Sequence, residues 1–167
     1  MKKVHKPAPP PPHDGQAFER QLSADKRAST LQVLFKVARL LDEEALRRVG
    51  QKQGAPRLRR AHTGLLPHID LGGTRVTDLA DRLGVSKQAV SQLVDDLEGW
   101  GVVTREADPD DARARRVVFT PRGRAGLLEG LAVLRTLEAE LTRAIGAPAM
   151  QGLREGLLAL HDRLSTE

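Results

Sequence analysis

The sequence predicts a mainly α-helical fold that carries one small β-hairpin. Two observations predict it. Apolar residues recur at three- and four-residue steps from about Asp25 almost to the C-terminus, the period of helices with one buried face. That pattern is interrupted between Gly101 and Thr120 by two short alternating runs around the polar stretch "DPDDARA", as in two strands joined by a turn.

The chain opens on "MKKVHKPAPPPPHDGQ". Proline and polar residues dominate it, so residues 1–24 are expected to form a disordered tail with polyproline II character. A PxxP ligand for a partner and a basic arm are its functional alternatives to a dispensable tail.

Residues 25–57 contain the first expected helix. Leu31, Leu34, Phe35, Ala38, Leu41, Ala45 and Val49 share one face, and Gly50 ends it. A second helix is expected from about Leu58 to Ile69, with Leu58, Ala61, Leu65, Leu66 and Ile69 inward; Pro67 kinks it or lies near its end. "LGGT" is a turn. A third helix carries Val76, Leu79, Ala80 and Leu83, with Thr74 or Thr77 as its cap.

The fourth helix has the clearest limits. Ser86 is a good N-cap, Val85 and Val90 form a hydrophobic staple, and Gly101 is the left-handed stop. Ala89, Val90, Leu93, Val94, Leu97 and Trp100 point inward. Two strands follow in "VVTREA" and "RRVVFT", where Val103 alternates with Arg105 and Val117 with Phe119. Thr120 and Pro121 read as a cap and first-turn proline. The long helix after them places Leu127, Leu128, Leu131, Leu134, Leu137, Leu141 and Ile145 inward. "GAP" breaks it, and a last helix carries Met150, Leu153, Leu157, Leu160 and Leu164.

Two helices joined by a short glycine turn make a helix-turn-helix. Ala80 is small where the helices must approach, Gly84 takes the corner, and Val90 packs between them. An ordinary helical hairpin accounts for the leucines equally well. It does not account for an outward face that begins with Ser86, Lys87, Gln88, Ser91 and Gln92. Gln pairs bidentately with adenine, Lys favours guanine and Ser is tolerant, and the start of the second helix is the part that meets base edges. The hairpin makes the unit a winged helix-turn-helix, expected over residues 58–120. Arg113, Arg115 and Arg116 crowd its tip beside Asp108, Asp110 and Asp111. An arginine at a ribbon tip can enter a narrow minor groove.

Composition is consistent with an anionic partner. The net charge is +5, and Arg, which suits phosphate, far outnumbers Lys. A GC-rich genome would produce the same bias. The 167 residues contain no cysteine, which excludes disulfides, thiolate catalysis and cysteine-based zinc sites. No apolar run is long enough to span a bilayer and no secretory signal opens the chain, so a cytoplasmic location is expected. No Gly-rich phosphate loop or paired catalytic carboxylates mark an enzyme, no His/Asp/Glu spacing marks a metal site, and no cofactor is expected.

The segment "LADRLGVSKQAVSQLVDDLEGWGVVTREADPDDARARRVVFTPRG" resembles the MarR family of bacterial transcription regulators. The family's D-P-x-D-x-R wing pattern, followed by an apolar strand and T-x-x-G, is matched by Asp108, Pro109, Asp111, Arg113, Thr120 and Gly123. The match is specific over roughly forty-five residues, and the order of helices agrees from about Asp25 onward. The resemblance implies a DNA-binding regulator and an intertwined helical homodimer, with residues 25–57 and 121–167 as dimerisation helices. It implies Ser86, Lys87, Gln88, Ser91 and Gln92 in the major groove, and Arg113 in the minor groove with Asp111 as its positioning partner; Arg115, read from the wing's own residues, is a further candidate there. A repressor released by a small-molecule effector is the expected mode. A winged-helix adaptor that binds protein rather than an operator is the alternative.

Physics favours a dimer independently. The apolar stripes of the first and last helices are too long for one small core, and each buried Leu contributes about 1.5–3 kcal/mol. A two-fold dimer reads half-sites about 34 Å apart. Arg59 and Arg60 are candidates for contact with phosphate or an anionic effector. His62 and His68, with Asp70 as a partner, are candidates for sensing pH or ligand, against the plainer reading of structural histidines.

Overall fold

A computed structural model describes residues 15–165 apart from residues 53 and 112. The described residues divide into two units, one ending at Leu41 and the other beginning at Asp42.

In the first unit, α1 runs Gly15–Ala28 and α2 begins at Thr30, ending at Gly50 in the second unit. Helix α1 corrects the expected boundary: residues 15–24 are helical and not part of a disordered tail. Phe18 and Leu22 are four apart and helix formers surround them, a helical signal that the neighbouring prolines obscured. Lys26 and Arg27 in its last turn complement the helix dipole. At the break, the Ser29 hydroxyl accepts from the Gln32 N–H at 3.4 Å. The Pro-rich residues 1–14 lie outside the described residues.

The second unit contains the winged domain. Helix α3 is Arg60–Leu65, followed by a 3-10 turn, Leu66–His68, with Pro67 in it. Strand β1 is Thr74–Arg75, α4 is Val76–Leu83, α5 is Lys87–Gly99, β2 is Val103–Ala107 and β3 is Arg115–Phe119. The strands form an antiparallel sheet in the order β1-β3-β2. In its register Arg75 lies opposite Arg116, Arg105 opposite Val117, and Val103 opposite Phe119. Leu65, Leu79, Val90, Val94, Leu97, Val103 and Val117 are fully buried and bring α3, α4, α5 and the sheet into one core.

Strand β1 falls where the sequence predicted only a turn. It is too short to show a period, and it exists because β3 pairs with it. Gly73 permits the approach: its φ is 95°, and a Cβ there would meet the Arg116 and Val118 side chains. Three further expectations are corrected. Ala61 and Ala89 are exposed, and His62 takes the inward position on α3. Helix α4 is capped at Arg75 without a side-chain bond, because the Thr74 hydroxyl is occupied with the Asp70 N–H at 2.8 Å. The third concerns the last two helices.

Those helices are α6, Pro121–Ile145, and α7, Ala147–Leu164. Thr120 caps α6: its hydroxyl accepts from the Gly123 N–H at 2.9 Å and donates to the Gly101 carbonyl at 2.6 Å. Gly123 lies against the Val102 carbonyl, where a Cβ could not fit. The Thr–x–x–Gly pattern is thus a packed corner between wing and helix. Of the seven apolar α6 positions expected inside, only Leu137 is buried in this chain. Leu128, Leu131, Leu134 and Ile145 are exposed, as are Leu153, Leu157, Leu160 and Leu164 of α7. Among the described residues, nothing covers these positions of either helix.

Candidate nucleic-acid interface

The corner between α4 and α5 is made by local chemistry. Gly84 adopts φ 64°, ψ 31°, and its N–H reaches back to the carbonyls of Ala80 and Asp81. The Val85 N–H bonds the Ala80 carbonyl at 3.1 Å. This is the left-handed cap that glycine forms without a Cβ penalty. Ser86 then starts α5, its hydroxyl accepting from the Ala89 N–H at 3.2 Å. Ala80 and Val90 are both buried at the crossing.

With Val90, Val94 and Leu97 buried, the opposite face of α5 is outermost. Ser86, Lys87, Gln88 and Gln92 are exposed and Ser91 is half-buried. Together they form one polar strip along the first two turns of the helix.

The second half of α5 carries three carboxylates, and each is paired. Asp95 receives the Arg105 guanidinium at 2.6 Å, and Glu98 binds the same guanidinium while accepting the Arg105 backbone N–H at 3.0 Å. Asp96 takes Arg59 at 2.8 Å and His62 Nε2 at 3.2 Å. An approaching polyanion therefore meets few uncompensated negative charges along this helix.

His62 is a core residue, which corrects its place among the phosphate or effector candidates. It is 0% exposed. Its Nδ1 accepts the Arg59 N–H at 2.9 Å, so Nε2 carries the proton and donates to Asp96. Its ring meets Trp100 edge-on at 4.9 Å. Burial pushes its pKa below the usual histidine value, although Asp96 pulls the other way. The other three candidates are not brought to one place. Arg59 is on Asp96, Arg60 is 3.4 Å from Asp42, and His68 lends its carbonyl to Arg82 at 2.8 Å. Both Arg59 and Arg60 remain largely exposed.

The wing is closed at its root by Asp108. Its backbone N–H bonds the Ala114 carbonyl at 3.1 Å, and Oδ1 accepts from the Asp110 N–H at 2.9 Å. Oδ2 accepts from Arg75 Nε at 2.7 Å. The Arg75 guanidinium, aided by the Asp110 N–H, holds the Asp108 carboxyl down at about 2. Asp111, the expected positioning partner of Arg113, engages its backbone, accepting the Arg113 N–H at 3.0 Å. Arg113 and Arg115 are exposed at the tip. The sequence assigns no site role to Arg75, and it marks Arg105 only as the strand residue alternating with Val103. The Asp-Pro start of the wing could have signalled Asp108 as a turn-forming residue; nothing local signalled its partner.

Residues 58–114, the helix-turn-helix and most of the wing, match the MarR family. The winged domain is a MarR-family domain. The transcriptional regulator BldR from Sulfolobus solfataricus is similar at 29% identity and a TM-score of 0.61, covering 84% of this chain and 97% of that one. MarR is similar in fold at 22% identity and a TM-score of 0.65, over 80% of this chain and 98% of its own. So is CouR, a transcriptional repressor solved bound to a 23-mer DNA duplex, at 24% identity and a TM-score of 0.59, over 83% and 94%. No curated protein matches the sequence. The MarR-family fold is that of DNA-binding transcription regulators. No helix among the described residues is long and apolar enough to cross a membrane.

Proposed function

We propose that this MarR-family protein is a sequence-specific repressor that binds a pseudo-palindromic operator as a homodimer and releases it when a small molecule binds. The observation that carries the reading is the polar strip of Ser86, Lys87, Gln88, Ser91 and Gln92 along the start of α5, above a second half whose carboxylates are paired. In this reading Gln88 and Gln92 hydrogen-bond base edges and Lys87 takes a guanine or a phosphate. Arg113, with Asp111 ordering its backbone, enters the minor groove, and Arg115 contacts the sugar–phosphate backbone.

The uncovered leucines of α6 and α7 support the homodimer, since a second copy would bury them. CouR, similar in fold, binds duplex DNA as a repressor, which supports the sign of regulation. Release by a small molecule rests on the resemblance to the MarR family. Selection of duplexes from a random-sequence pool by the purified protein, followed by band-shift titration at several salt concentrations, tests the proposal. Enrichment of a two-fold-related sequence is the expected result. Binding without preference at every salt concentration would overturn it.

A further inference from the structure

We propose that Arg75 and Arg105 are positioning residues that fasten the wing to the helix-turn-helix, so that α5 and the wing tip meet DNA as one rigid surface, and that neither arginine touches DNA. This rests on the DNA-binding reading above.

A two-stranded ribbon is marginally ordered by itself. Here β2 is tied down at its middle and just past its end. From its midpoint Arg105 reaches across to Asp95 and Glu98, which lie three apart on one face of α5. Just past its end Asp108, only 9% exposed, accepts from Arg75 at 2.7 Å. Arg75 is also the residue that caps α4 and pairs in β1. One arginine thus joins the ribbon to the recognition helix, and the other joins its root to the helix before the turn. The charge of each is met by carboxylates, unlike the exposed arginines at the tip. Losing Arg75 would leave Asp108 a buried carboxylate without its cation. Losing Arg105 would free two acids on the helix that faces DNA.

The test compares Arg75→Ala with the parent protein in two measurements. Hydrogen exchange reads the wing amides of Asp108, Asp110 and Ala114 against those of Val94 and Leu97 in α5. Band shifts read affinity and salt slope on a duplex enriched from a random pool by the parent protein. The expected result is wing exchange about tenfold faster with α5 unchanged, and affinity lower by about tenfold, with an unaltered salt slope. Unchanged wing exchange would overturn the inference. So would a salt slope flatter by about 0.9, the signature of a lost phosphate contact. Arg75→Lys, which keeps the charge but lacks Nε, is read by the same criteria if the alanine variant does not fold. Arg105→Gln is expected to weaken binding with the slope likewise unflattened. If the parent enriches no duplex, the DNA reading fails, and the exchange data still decide whether the fastening exists.

Discussion

His62, wholly buried, holds its Nε2 3.2 Å from the Asp96 carboxylate of α5. A histidine anchored in this way is a neutral structural group, and its protonation state is coupled to folding. Its folded pKa is below its unfolded value, so the unfolded chain binds the extra proton first on acidification. The stability it contributes is complete above about pH 6.5 and falls as the pH drops from there towards the folded pKa. Urea unfolding between pH 7.5 and pH 5 should show this decline, and His62→Gln should flatten it. Asp108, held at about 2, acts in a separate window, losing its contribution as the pH falls from about 4 through 2.

Gln88→Ala should relax discrimination at particular base pairs while leaving the fold intact, because Gln88 is exposed. The expected loss is about 1–3 kcal/mol at each affected position. Competition titrations with single base-pair variants of the enriched duplex measure it. A uniform loss across all sequences would mean that Gln88 reads phosphate rather than base.

Arg113→Ala should behave differently from Arg75→Ala. An arginine in the minor groove displaces counterions, so its loss should flatten the dependence of log K on log salt by about 0.9. Affinities measured at four or more salt concentrations check this, and an unaltered slope counts against the wing assignment.

Gly123→Ala should destabilise the whole domain. The added Cβ would collide with the Val102 carbonyl at the corner between β2 and α6, and overpacking of this kind costs about 1–3 kcal/mol. Thr120→Ala should cost about 1 kcal/mol through the lost cap. Equilibrium denaturation of both variants gives the numbers; a neutral glycine replacement would show that the corner can open.

Leu134→Glu and Leu157→Glu should convert the proposed dimer to monomer, since both leucines are exposed in the single chain. Sedimentation equilibrium reads the mass. A protein that stays dimeric in both variants has its interface elsewhere, and a parent that is monomeric removes the dimer from the proposal.

Much of the winged domain was legible because its signals act within a few residues of themselves. Gly84 and Gly101 adopt the positive φ that ends a helix, Ser86 and Thr120 cap the next helices from their own side chains, and a polar turn joins the two strands, although Val117, Val118 and Phe119 of β3 are buried in succession rather than alternately. The strip of Ser86, Lys87, Gln88, Ser91 and Gln92 followed directly, since a helix with Val90, Val94 and Leu97 inside has only one other face to offer. Helix α1 was missed at the border of a Pro-rich stretch, and β1 was too short to show a period.

What the sequence determined by itself was the run of helices, the glycine corner, the hairpin and the polar leading edge of α5, all set by chemistry among near neighbours in the chain. Only the tertiary structure decided that β1 completes the sheet, that His62 is buried against Asp96, and that Arg75 meets Asp108 while Arg105 meets Asp95 and Glu98. Those partners come from separate elements, and a side chain's choice among many distant charges depends on which surfaces the packed core brings within bonding reach.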